Sequence, residues 1–119
     1  MTNASVKKFL VFFMIPLATM NEWSKTDASV REAEEKRLRE EWTKWSAEHS
    51  KMMVSTDVGG KTKNVAANGV SDTRNDIVIY SIVEGDSHDA VAQAFQNHPH
   101  LQIPNASIQI METRAMGWD

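Results

Sequence analysis

The chain has 119 residues, 24% of them charged and 41% hydrophobic, with a formal net charge of −3. That length suits one domain with a modest core, and the composition excludes both a disordered chain and a membrane bundle. An acidic balance without a clustered basic surface speaks against a nucleic-acid partner. The absence of cysteine excludes disulfides, thiolate zinc sites and a cysteine nucleophile, and it fits a reducing, cytoplasmic setting.

Lys7-Lys8 followed by an apolar run from Phe9 to Ala18 imitates a signal peptide. The run is too short to span a bilayer and lacks a small-x-small cleavage site. A run rich in Phe, Val and Ile reads instead as a buried central strand covered by helices, and no membrane partner is expected. Pro16 ends it, and the connector 18–24 holds a helical turn around Met20 and Trp23. Thr26-Asp27 then caps a long helix in which Ser29 and Glu32 have capping-box spacing. Glu32 and Lys36, Glu35 and Arg39, and Glu40 and Lys44 stand four apart with the acid first, the favourable order for helical ion pairs. Leu38, Trp42, Trp45 and His49 form a stripe facing the core.

A second strand is predicted over 51–58, ended by Gly59-Gly60. Residues 60–65 suggest a short hairpin arm, Asn68-Gly69 a turn pair, and 71–76 a polar surface loop. The clearest strand spans 77–84. Ser87 is the expected N-cap of the next helix, with Asp89 in its first turn and Val91, Ala94 and Phe95 on its buried face. That helix stops before Pro99, and a last strand over 107–114 places Ile108 and Ile110 on one face and Gln109 and Met111 on the other. The order β, α, β, arm, β, α, β predicts a single α+β domain over 1–119, with a ferredoxin-like antiparallel sheet and its helices on one face. The other face is left bare for the sheet of a second copy, giving a homodimer.

Several segments together carry a resemblance. Lys8-Phe-Leu-Val11, Trp42 and Trp45, Gly60-Lys-Thr-Lys63, Asn68-Gly-Val-Ser-Asp72, Ile79-Tyr-Ser-Ile82, Asp86-Ser-His-Asp-Ala90, His98-Pro-His-Leu101, Pro104-Asn-Ala-Ser107 and Ile110-Met-Glu112 are similar to the YCII-related domain family across nearly the whole chain. The resemblance implies a dimeric α/β barrel of ferredoxin-like topology. Some members carry a histidine shortly after the first strand and an aspartate at the end of the second, suggested to act as acid and base. Here Met20-Asn-Glu-Trp23 holds no histidine, and Val54 stands at the aspartate position unless a gap brings in Asp57.

His98 and His100 flank Pro99, and two residues two apart in an extended segment point the same way. They are candidate catalytic residues with Asp57, or, joined by Asp57 or Glu112, half of a histidine/carboxylate metal site. The plainer reading is a rigid connector with one imidazole bonded to backbone and the other solvated. No metal or other cofactor is expected, since the spacing matches no zinc signature. Met20, Trp23, Trp42 and Tyr80 are candidate ligand-binding residues around an apolar cavity; the alternative is that the tryptophans fill the core. Gly59-Gly-Lys-Thr62 does not have Walker spacing, and no serine occupies a nucleophile-elbow context. The function expected is binding of a small organic molecule in that cavity. The alternatives are a cofactor-independent lyase, isomerase or hydrolase with a His/Asp pair, and a structural oligomerisation module without ligand.

Overall fold

The computed structural model describes residues 6–117. The elements are β1 (Lys7–Met14), α1 (Leu17–Ser24), α2 (Ala28–Glu48), β2 (Met53–Val58), β3 (Thr62–Ala66), β4 (Gly69–Thr73), β5 (Ile77–Gly85), α3 (His88–Ala94), a 3-10 turn (Pro99–Gln102) and β6 (Ser107–Glu112). β2, β5, β1 and β6 form, in that order, an antiparallel four-stranded sheet, and β3 and β4 pair only with each other. With that hairpin set aside as an arm, the core reads β-α-β-β-α-β with its first and third strands adjacent, the order of a split β-α-β fold.

Residue parity on β1 decides where the core lies. Phe9, Val11 and Phe13 are fully buried, whereas Leu10, Phe12 and Met14 are only partly covered. The buried set pairs with Val83, Ser81 and Ile79 of β5 and meets Trp42 and Trp45 of α2, Val91 of α3 and Phe95 at the C-cap of α3. The continuous apolar run thus marks a central strand, as expected, but helices cover it on one side only. Ser81 is the polar member of the buried layer, and its hydroxyl lies 2.7 Å from Thr56 Oγ1 on β2, so each satisfies the other. Opposite this layer, Leu10 pairs with Ile82 and Met111, and Phe12 with Tyr80 and Gln109. No helix covers these side chains.

Local signals account for most boundaries. Asp27 caps α2 by accepting from the Ser29 amide, and Ser87 caps α3 by accepting from that of Ala90. The capping box expected at Ser29 and Glu32 is displaced, because Asp27, two residues earlier, already takes the cap position. The connector before it forms two full turns of helix, α1, rather than one. The arm also differs from expectation. Ala66 pairs with Gly69, so the two-residue loop is Ala67-Asn68, and the segment from Gly69 to Thr73, read as turn and loop, is a strand. Gly69 has φ +145°, a conformation that favours glycine. At Gly85 an added Cβ would lie 2.4 Å from Val91 Cγ2, and this clearance lets α3 pack onto the end of β5.

The chain is more extended than its length requires. Its radius of gyration is 16.9 Å, against about 13.5 Å for a compact domain of this size. Its accessible surface is 8880 Å², against about 6,500 Å² for a compact monomer of this mass. The arm and the uncovered sheet face account for that excess in kind.

Candidate functional site

His98 and His100 sit beneath the helices, each about 1% exposed. Pro99 starts a 3-10 turn, so the two rings diverge instead of pointing the same way. His98 enters an aromatic cage of Trp42, Trp45, Phe13 and Phe95, with ring centroids 4.3, 4.5, 5.1 and 5.8 Å away. Its Nδ1 accepts the His100 amide at 3.0 Å. A neutral imidazole that accepts at Nδ1 carries its proton on Nε2, and Nε2 has no oxygen or nitrogen partner. The planes of the two indoles are inclined at 83° and 62° to the imidazole. His100 Nε2 lies 3.0 Å from the Met14 carbonyl oxygen and donates to it, tying the turn to the end of β1.

Burial disfavours the charged form of both rings. Desolvation, with smaller contributions from His100 and His49, pushes His98 down to about 3, and desolvation also lowers His100. The sign for stability follows from linkage. The folded pKa of His98 lies below the ordinary value near 6.5, so the unfolded chain binds the extra proton, and stability present above pH 6.5 is lost as the pH falls towards 3. Urea unfolding at pH 5 is therefore expected to show about 1 to 2 kcal/mol less stability than at pH 7, with a flatter dependence in His98→Asn. Equal stability at the two pH values would remove this account of the cage.

Asp57 lies elsewhere. It is exposed on the edge strand β2 opposite Tyr80, on the sheet face turned away from the helices. The proposed acid-base group of His98, His100 and Asp57 is thus not assembled: the imidazoles are enclosed and neutral on one side, and the carboxylate is solvated on the other. Nor does the histidine/carboxylate metal set come together, since among the described residues no three such side chains are placed to hold an ion. Trp42 belongs to the core, 4.9 Å from Phe13, and Tyr80 to the bare face, so neither lines a cavity with the other candidates.

Met20 and Trp23 do come together. They line a cleft of about 630 Å³ between α1, the first turns of α2 and the loop before β6. Ile15, Leu38, Ile103 and Pro104 complete its apolar wall. Three hydrogen bonds hold its shape, from Thr19 Oγ1 to the Pro104 carbonyl at 3.1 Å and from Arg31 to the carbonyls of Ser24 and Thr26, and Asn105 turns the loop with φ 61°. At one rim Arg37 donates to Glu34 at 2.8 Å and to Gln102 Oε1 at 2.7 Å, while Gln102 Nε2 donates to Glu41. The guanidinium holds the Glu34 carboxyl below its usual range, and Gln102, then Arg37, does the same for Glu41. This network replaces the expected pairs at Glu32, Glu35 and Glu40, because Arg37 lies between two acids at helical spacing and next to Gln102. Glu35 turns instead to Trp23, whose indole N–H donates to it at 3.2 Å. Arg37 and Glu35 are lining residues that sequence reasoning missed, since charged helix positions read as a solvated face, and Leu38, expected in the core-facing stripe, lines the cleft.

A second cleft of about 700 Å³ adjoins the first at Ile15 and Met20 and runs to the base of the arm, where it carries Lys61, Lys63 and Arg74. Lys63 is paired with Asp72 at 2.6 Å. No helix among the described residues is long and apolar enough to cross a membrane.

No family model matches the chain, and no curated protein does. Among solved structures it is similar to a hydantoinase/carbamoylase family amidase from Burkholderia ambifaria, at 10% sequence identity and a TM-score of 0.37, over 92% of this chain. The chain spans 27% of that protein's length, and a likeness at this level bears on neither its chemistry nor its partners.

Proposed function

We propose that the chain binds a small organic molecule in the cleft between α1 and α2, as one half of a YCII-like homodimeric α/β barrel. The observation that carries this reading is the cleft itself. Its volume of about 630 Å³ falls within the range of about 300 to 1,000 Å³ usual for small-molecule sites, and it combines an apolar wall with a few polar groups at its edge. Tryptophans filling every space would favour a purely structural module. Trp42 and Trp45 do pack in the core, but Trp23 borders open space. A catalytic reading has no comparable support, since His98 and His100 are enclosed in the core and Asp57 lies on the other face of the sheet.

Filling the cleft tests the reading. Leu38→Trp and Met20→Trp place an indole where the ligand would lie, at positions only partly buried in the free protein. Fragments that bind the wild type in ligand-observed NMR are expected to lose at least about tenfold in affinity in both variants, with thermal midpoints little changed. Unaltered fragment binding in both variants would overturn the site.

A further inference from the structure

We infer that the molecule held in the α1/α2 cleft is an organic cation, an amine or quaternary ammonium, seated between the Trp23 indole and the Glu35 carboxylate. The inference rests on the cleft being the binding site and concerns the charge of its ligand. The charged side chains around the cleft are Glu22, Glu34, Glu35 and Arg37, three carboxylates against one guanidinium. That guanidinium is already committed, for Glu34, Glu41 and Gln102 occupy its donors. Glu22 has Lys25 at 3.6 Å. Glu35 has no lysine or arginine partner among the described residues, although Arg39 stands at the favourable helical spacing. An anion entering here would meet surplus negative charge, whereas a cation would supply the missing counter-charge.

Trp23 adds a second, independent attraction. Its N–H donates to Glu35 Oε2 at 3.2 Å, so the carboxylate sits at the edge of the indole and in line with the ring's donor. The π face is left for a cation, whose attraction to an indole is the strongest among the aromatic side chains. A cation over that face also lies close to the carboxylate, so the two attractions act on one charge. Apolar Met20 and Leu38 nearby suit the hydrocarbon part of an alkylated or aryl amine better than a hydrated metal ion. The neighbouring cleft has a different balance, with Lys61, Lys63 and Arg74 against Asp72 and Asp76.

The test titrates the full chain with benzyltrimethylammonium, benzyl alcohol and phenylacetate. It follows the indole N–H resonance of Trp23, assigned by its disappearance in Trp23→Phe. The cation is expected to bind about tenfold more tightly than the alcohol, and Glu35→Gln is expected to erase that preference. Equal affinity for cation and alcohol, or preference for phenylacetate, would overturn the charge assignment and leave the cleft as a binding site. If none of the three moves the Trp23 resonance, the cleft reading fails together with the inference.

Discussion

Phe13→Ala is expected to lower the stability of the fold by about 3 to 5 kcal/mol, the range for truncating a buried aromatic where the surroundings relax only partly. Phe13 is fully buried, and its ring lies 4.9 Å from Trp42, 5.1 Å from His98, 5.4 Å from His100 and 6.0 Å from Phe95. On the sheet it pairs with Ile79 on one side and Ile108 on the other, so its removal leaves a void at the junction of β1, β5, β6 and α2. For a domain of this length the loss corresponds to a fall in Tm of roughly 4 °C per kcal/mol. The void also admits water beside His98, which raises its pKa towards the ordinary value and flattens the decline in stability between pH 7 and pH 5. Phe13→Leu keeps most of the volume and is expected to lose under about 1.5 kcal/mol, so the series remains measurable if the alanine variant unfolds. Thermal and urea unfolding of both variants check this. A loss below about 1 kcal/mol for Phe13→Ala would mean that the aromatic and histidine cluster is not the centre of the core.

The core was legible because its signals are local. Ser87 announces α3, Pro16 ends β1, and the apolar run of Ile77 to Val83 forms β5 as read. The arm was only half legible. Every residue of β4 is exposed, so no alternation of apolar and polar residues marks it, and its pairing with β3 is carried by backbone hydrogen bonds and by turn geometry. The ion pairs of α2 were misread for a related reason. Spacing offers each acid several cations, and the choice is made by Gln102, 61 residues beyond Glu41 in the chain.

The candidate site was legible in two residues of the four expected around a cavity. Met20 and Trp23 share a cleft because α1 presents both, three apart, towards α2. Trp42 and Tyr80 lie elsewhere, because period and parity identify the face of an element without telling which face a neighbour covers. The histidine pair misled for a geometric reason. A spacing of two brings side chains together in an extended segment, but the 3-10 turn begun by Pro99 rotates each residue by about 120° and separates the rings.

If the proposed dimer forms, the wild type is expected at twice the chain mass of 13.4 kDa, and replacing both Leu10 and Ile82 by glutamate is expected to yield a monomer. The two residues are directly paired at the middle of the uncovered sheet face, and Met111 flanks Leu10 on the other side. Phe12 and Tyr80 form the next pair along, and Tyr80 and Met111 are 37% and 49% exposed. A contiguous patch of this kind is unusual on a monomer that has no partner. A second copy related by a two-fold axis would cover the patch with an identical one and close the barrel. Four glutamates would then face one another across that interface, and desolvating them without partners is expected to weaken association by at least about a thousandfold. Both side chains stay partly accessible in the single chain, so the variant should retain its fold and its circular dichroism. Light scattering on a sizing column reads the outcome directly. A monomeric wild type, or a variant that remains dimeric, would overturn the two-sheet assembly. The cleft at Met20 and Trp23 lies on the helix side, beyond the end of β1, so a folded monomer should bind the same fragments as the wild type. That separates assembly from binding: losing the dimer while keeping the ligand would show that each subunit carries a complete site.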